Sequence, residues 1–174
     1  MPEKCHSILL DRRGRELAQA ATLSLEFADG YLVPEHFHPE DQLVFASKGV
    51  MTVRTAQGIW VVPPLRAVWI PAKTPHSVAM SGAVSMRTIY LAPRRTSALG
   101  TKCFVMNVSP LLRELILHAC QFQRLKYSEP VQKRIIEIIS DQMKAAHSIA
   151  LQLPQHGRAP GAVDARLHAR DEIR

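Results

Sequence analysis

The chain has 174 residues, 47% hydrophobic and 21% charged, with 22 Lys and Arg against 15 Asp and Glu. This is a globular composition, long enough to bury a core without disulfide staples, and its +7 charge raises the question of nucleic acid. No apolar run reaches the ~18 residues of a membrane span, the charged N-terminus does not read as a secretory signal, and Cys5, Cys103 and Cys120 are too far apart to pair on a metal. Reduced thiols in a cytoplasmic protein are expected.

Residues 22–92 read as strands. Leu23, Leu25 and Phe27 alternate with polar residues, a period of two. Leu43 to Ala46 is the next run, ended at a Lys48-Gly49 turn, and Val50 to Thr55 follows. Ala56-Gln57-Gly58 turns the chain into Ile59 to Val62, which Pro63-Pro64 stops because neither residue can donate to a ladder. Arg66 to Ile70, His76 to Met80 and Val84 to Leu91 complete the series, the last two separated by Ser81-Gly82. About seven short strands with Gly and Pro punctuation predict a sandwich or barrel rather than a βαβ sheet.

The period then changes. Cys103 to Val108 reads as one more strand. Ser109-Pro110 is a helix start, a hydroxyl cap followed by proline at the first helical position. Leu111, Leu112, Leu115, Ile116 and Ala119 then fall at helical spacing. Ser128-Glu129-Pro130 opens a second helix with Val131, Ile135, Ile138, Ile139 and Gln142 on one stripe, widened by Ile136 and Met143. Both stripes must be buried, against the strands or against a partner subunit, and the Ile and Leu density predicts a homodimer through residues 109–146. The division expected is a barrel over 1–108, a helical dimerisation region over 109–150 and a poorly ordered tail over 151–174.

The basic excess lies mainly in residues 93–150, with nine basic and four acidic groups. It is dispersed as single charges or adjacent pairs, which reads as a solvated helical face. No helix-turn-helix, ribbon or aromatic-lined basic groove accompanies it, so direct DNA binding by this chain is not expected.

The informative stretch is Gly30 to Gly49. His36 and His38 are two apart, so on a strand both aim the same way. Gln42 adds an amide oxygen, and His76, on a later strand, can complete a three-histidine site. Imidazoles in that number suit a divalent metal: nickel, zinc, iron or manganese. The competing reading is a partly buried polar cluster with water. Phe45, Met51, Trp60, Trp69 and Met86 are candidates to line an apolar ligand pocket, although each also suits a core. Glu35, Glu40 and Asp41 flank the motif but should alternate away from the histidine face. His118 and His147 read as helix-end residues, where a cation suits the dipole.

Gly30, His36-x-His38, Gln42 and Gly49 together resemble the first motif of the cupin superfamily, with Gln where glutamate is usual. Gly58 through Pro71 to His76 resembles its second motif more loosely, with Lys73 at the usual glycine and Met80 at the usual asparagine. The segments DQLVFASKGVMTVRT, GIWVVPPLRAVWIPAKTPHSV, GAVSMRTIYL and VSPLLRELILHA are similar to the N-terminal effector-binding and dimerisation domain of AraC-type transcription regulators. That resemblance implies a mainly β fold: a cupin barrel (double-stranded β-helix or jelly roll) followed by two C-terminal α-helices. It implies a domain that senses a small-molecule effector, with His36, His38, Gln42 and His76 as metal ligands or polar anchors. Such regulators carry a double helix-turn-helix domain after the cupin part, and the last 24 residues lack the apolar face of a recognition helix. The expectation is therefore a sensor truncated before its DNA-binding domain and not an enzyme. The alternative is a small metal-dependent cupin enzyme, a dioxygenase or isomerase, because three histidines and an amide leave open positions on a metal.

Overall fold

Two long strands carry the architecture of the computed structural model, which describes residues 3–11 and 13–152. In chain order the elements are β1 (Glu3–Lys4), β2 (Ala20–Phe27), β3 (Leu32–Phe37), β4 (Asp41–Thr55), β5 (Gly58–Val62), β6 (Arg66–Ile70), β7 (His76–Leu91), β8 (Phe104–Asn107), α1 (Pro110–Ala119), β9 (Arg124–Leu125) and α2 (Pro130–Gln152). Short 3-10 turns at Pro93–Arg95 and Ser97–Leu99 lead into β8. The strands join one nine-stranded sheet. The tail expected beyond residue 152 lies outside the described residues.

β4 and β7 run antiparallel along almost their full lengths, from Asp41↔Leu91 to Thr55↔His76. The first half of β4 pairs β6 on its other side, and the second half pairs β5. β7 likewise meets β3 with its first half and β2 with its second. The paired strands thus pass from one half of a sandwich to the other. The turns expected at Lys48-Gly49 and Ser81-Gly82 are bends inside these strands, with the register shifting between Ala46 and Val50. Gly49 sits at the bend with φ +76°, and a Cβ there would lie 2.4 Å from the Ala83 carbonyl oxygen. Only glycine fits that approach.

Alternation along the strands makes two cores. Val44, Ala46, Val68, Ile70, Val84 and Met86 from one half face Met51, Val53, Val62, Val78 and Met80 from the other, filling the interior. Leu43, Phe45, Ala67, Trp69, Ile89 and Leu91 point outward and are covered by the helices. Leu112, Ile116 and Ala119 of α1 and Ile135, Ile136, Ile139 and Met143 of α2 supply that cover. Each buried aliphatic contributes about 1.5–3 kcal/mol. Part of the helical region therefore shares one core with the barrel, and β9 extends β2. The α1 cap forms as expected: the Ser109 hydroxyl accepts from the Leu112 N–H at 3.1 Å, with Pro110 after it. Val131, Ile138 and Leu111 remain outside, each more than 40% exposed. His147 differs from its expected place at a helix end: its ring packs on Phe104, centroids 4.2 Å apart, five residues before α2 stops.

Gly49→Ala should lower the unfolding free energy by about 2 kcal/mol or more, combining a left-handed φ with a backbone clash. Gly82→Ala, where φ is +73° and nothing lies within 4 Å of the added carbon, should cost only about 1 kcal/mol. Urea unfolding of the two variants measures the difference, and equal losses would refute the steric argument.

Candidate metal centre

β3 and β7 bring the histidines together. His36 pairs His76 directly across the two strands, after a bulge between Val33 and His36. His38 follows the end of β3, and its ring centroid lies 5.3 Å from that of His76 and 6.1 Å from that of His36. One ring nitrogen from each of the three lies within 4.8 Å of the others, so the cluster could hold a metal ion.

The hydrogen bonds orient the rings. Nδ1 of His36, His38 and His76 each lies 2.8 Å from a backbone carbonyl, those of Pro34, Glu40 and Thr74. A carbonyl only accepts, so each Nδ1 carries the proton and each Nε2 keeps a lone pair in the neutral ring. This outer-atom arrangement is the one that metal-ligating histidines use. Burial pushes the His76 pKa down to about 4, helped by His36 and His38, which keeps that ring neutral. Its Nε2 is buried with no hydrogen-bond partner.

Gln42 completes the set. Its amide nitrogen donates to the Thr88 hydroxyl at 2.9 Å and the Tyr90 hydroxyl at 3.1 Å. Thr88 gives its own proton to the Leu43 carbonyl at 3.0 Å, so it can only accept from Gln42. The amide cannot flip without losing that bond. Its Oε1 then faces His38 Nε2 at 3.0 Å. In the neutral Nδ1–H tautomer two lone pairs face each other there, and either a proton on Nε2 or a shared metal ion resolves the arrangement. The three histidines thus gather within metal range, and Gln42 joins them through His38.

The second turn of the site carries a strained residue. Lys73, at the position where the sequence pattern leads one to expect glycine, adopts φ +61°. Its N–H donates to the His38 carbonyl at 2.8 Å, tying the β6–β7 turn to the histidine segment.

A cavity of about 220 Å³ opens beside the histidines. His36, His38, Glu40 and Tyr90 line one side, and Cys5, His6, Ile8 and Leu23 line the other. Burial holds the Tyr90 phenol neutral, pushed up to about 12. None of the five residues nominated for a ligand pocket lines this cavity. Phe45 and Trp69 belong to the core under the helices, whereas Met51, Met86 and Trp60 belong to the interior core. They do not share one chamber. Leu23, a third exposed, faces this open mouth from β2.

One acidic residue departs from expectation. Both Glu40 and Asp41 are buried, and Glu40 lines the cavity instead of turning away from it, whereas Asp41 turns from the histidines to the loops around β7. Asp41 accepts from the Ala72 N–H at 2.6 Å and from the Thr96 hydroxyl. Glu40 accepts from the Ser7 hydroxyl and from the Ile8 N–H at 3.1 Å. Residues 38–40 lie between strands, so strand alternation does not govern them. The N-terminal segment was not legible as part of the site. β1 pairs in parallel with β3, Glu3 opposite His36, and the Cys5 N–H donates to the Phe37 carbonyl at 2.8 Å.

The family model for the AraC-like ligand binding domain matches residues 22–157. The HTH-type transcriptional regulator NimR of Escherichia coli is 31% identical over 121 residues, 70% of this chain and 44% of that protein. The chain therefore spans less than half the length of the curated relative it matches. Among solved structures, an apo variant of ToxT from Vibrio cholerae superposes with a TM-score of 0.57 at 9% identity, over 75% of this chain and 56% of that one. A cupin superfamily protein from Desulfitobacterium hafniense has a TM-score of 0.41 at 24% identity, over 42% of this chain and 68% of that one. No described helix is long and apolar enough to cross a membrane.

Two substitutions test this geometry. Thr88→Val removes the acceptor that orients the Gln42 amide, and divalent-ion affinity should fall roughly 10–100-fold, as for other outer-shell losses. Chelator competition reads the change; unaltered affinity would exclude Gln42 from the centre. Lys73→Gly should stabilise the fold by about 1 kcal/mol in thermal melts by relieving the left-handed φ.

Proposed function

Since this chain belongs to the AraC-like ligand binding domain family, we propose that it senses a small effector in the cavity at the barrel mouth, beside a divalent ion held by His36, His38, His76 and Gln42. The observation that carries this reading is the gathering of three imidazoles within metal range, with the Gln42 amide oxygen 3.0 Å from His38 Nε2, beside a small cavity that His36 and His38 line. When bound, the ion would supply a Lewis-acidic anchor for a ligand atom. The protein's own part is orientation. Backbone carbonyls fix the imidazoles, Thr88 fixes the amide, and Tyr90 closes one wall. Three imidazoles favour zinc, iron or nickel over manganese, which prefers oxygen.

Regulation requires that the effector bind one state of the protein better than another. The helices support a dimer as that element. Val131 and Ile138 lie seven residues apart on the outer side of α2, and Leu111 is exposed on α1. A seven-residue spacing of apolar side chains is the seam of a helix pair. A second copy packed on residues 109–146 would cover them. A cytoplasmic location, and a DNA-binding partner domain such as NimR's printed name implies, go with this reading.

One observation favours a second reading, a metal-dependent enzyme. Glu40 places a buried carboxylate on the same cavity as His36 and His38, where a dioxygenase or isomerase would want an acid or base. The family and the regulator relative support sensing over turnover.

Metal analysis of tag-free protein should find about one divalent ion per chain, lost in a His36→Ala/His38→Ala variant. A thermal-shift screen of the loaded protein should then yield small-molecule ligands that the double variant no longer binds. A screen with no binders of any class would defeat the sensing reading, and catalytic turnover of a hit would favour the enzyme. Sedimentation at micromolar concentration should show a dimer that Val131→Asp/Ile138→Asp converts to monomer. A wild-type monomer would remove the assigned dimer face.

A further inference from the structure

Ile8 and Leu23 border a second cavity besides the one at the histidines. Its volume is about 400 Å³, within the ~300–1,000 Å³ of small-molecule sites. β9 covers the edge of β2 only at Ala20 and Ala21, with one more bond from the Thr22 N–H to the Gln123 carbonyl at 2.8 Å. The cavity opens where that cover stops. Thr22 and Ser24 line its β2 side, and Cys120, Gln123 and Arg124 line the other. It therefore joins three parts of the fold: the N-terminal segment, the barrel and the turn that ends α1. That turn is held in a costly shape, since Gln123 adopts φ +47° without being glycine.

The charge on this lining is one-sided. Among the described residues Arg124 is the one charged group there, and no described carboxylate pairs with it. Its Nε donates to the Ile8 carbonyl at 3.4 Å, a bond between two residues of the cavity wall. The guanidinium is thus tethered at the cavity by one nitrogen, which leaves the two terminal ones as donors. The nearby end of α1 is answered internally. The Cys120, Gln121 and Phe122 N–H groups donate to the carbonyls of Ile116, His118 and Ala119, and the Thr22 hydroxyl also donates to Ala119 at 3.4 Å. Burial pushes the Cys120 thiol up, so it stays neutral and adds no opposing charge.

A carboxylate matches this set better than a phosphate. One fork-shaped cation offers two parallel N–H bonds to one carboxylate. A phosphate monoester brings nearly two charges, and among the described residues neither a second cation nor a helix N-terminus lines the cavity to take the second. Ile8 and Leu23 give the rest of the ligand an apolar wall.

We propose that the cavity bounded by β2, Ile8 and the α1–β9 turn is a second ligand site, for a small monocarboxylate, with Arg124 as the cation that meets it. This site lies outside the effector cavity and needs no metal ion, because none of the clustered histidines lines it. A ligand there touches the barrel and the end of α1 together, so its binding favours the state in which the two are docked.

The test uses the tag-free full chain and two isosteric probes, benzoate and benzamide, titrated while backbone amide shifts are followed by NMR. Benzoate should shift the amides of residues 22–24 and 119–124, with a Kd of about 1 mM or tighter, as a ligand of so few atoms allows. Benzamide has the same shape and no charge, and it should bind about tenfold or more weakly, the loss of one charge-assisted pair. Arg124→Gln should weaken benzoate by a similar factor. The benzoate shifts should persist in His36→Ala/His38→Ala, which lacks the metal centre; their loss there would place benzoate on the ion and overturn the second site. Equal binding of the two probes, or benzoate binding unchanged in Arg124→Gln, overturns the assignment of Arg124. Shifts confined to other residues, or none up to roughly 10 mM benzoate, overturn the site itself. If Arg124→Gln fails to fold, the two probes on wild type still decide.

Discussion

Residues 41–46 of β4 are buried without exception, and this double-sided burial sets the position of the rest. Leu43 and Phe45 go outward to the helices; Val44 and Ala46 go inward to the barrel core. Gln42 shares their inward parity. β6 pairs one side of this segment and β7 the other, so its register is held twice. A one-residue slip would exchange Gln42 for Leu43, taking the amide from the histidines and putting a polar group under the helices. The place of Gln42 beside His38, the interior and the helix-covered face are therefore consequences of one register. Asp41 braces its start by accepting from the Ala72 N–H and the Thr96 hydroxyl, the loops that enter β7 and leave it.

Much of this is legible in the residues, because it depends on period and spacing. The strands, the Ser109 cap and the convergence of His36, His38, Gln42 and His76 all follow from local pattern. What fails does so for identifiable reasons. Gly49 and Gly82 look like turns in the sequence because a bend inside a strand and a turn between strands use the same residues; the difference at Gly49 lies in Ala83 and Val84 packed on it, which are distant in sequence. Phe45 and Trp69 were grouped with Met51 by residue type, although parity along β4 and β6 separates them into different cores. Strand alternation does not reach Glu40, because β3 ends at Phe37. Its real constraint is Ser7, 33 residues earlier, and no local signal connects the two.

The positive charge acquires a modest meaning. Several basic groups of residues 93–150 are engaged locally: the Arg95 guanidinium lies 4.0 Å from the centroid of Tyr127, Lys133 pairs with Glu137 at 3.8 Å, and Lys144 pairs with Asp141 at 3.1 Å. Exposed pairs of this kind contribute at most about 1 kcal/mol each, so they decorate the helical surface rather than hold it. Apolar burial holds it. A helical layer with charged flanks and three exposed aliphatics suits another protein surface better than a nucleic acid.

The amide at position 42 is a built feature rather than a neutral stand-in for a carboxylate. Thr88 directs its proton to the Leu43 carbonyl and therefore offers a lone pair to residue 42. An amide nitrogen satisfies that lone pair and reaches Tyr90 as well. A glutamate there would set carboxylate oxygen against hydroxyl oxygen unless Thr88 withdrew its proton from the sheet. The surrounding hydrogen bonds are thus arranged for glutamine, and they keep the ligand set uncharged. An ion held in such a set would not be neutralised by its own protein ligands, so its charge would remain for whatever enters the cavity.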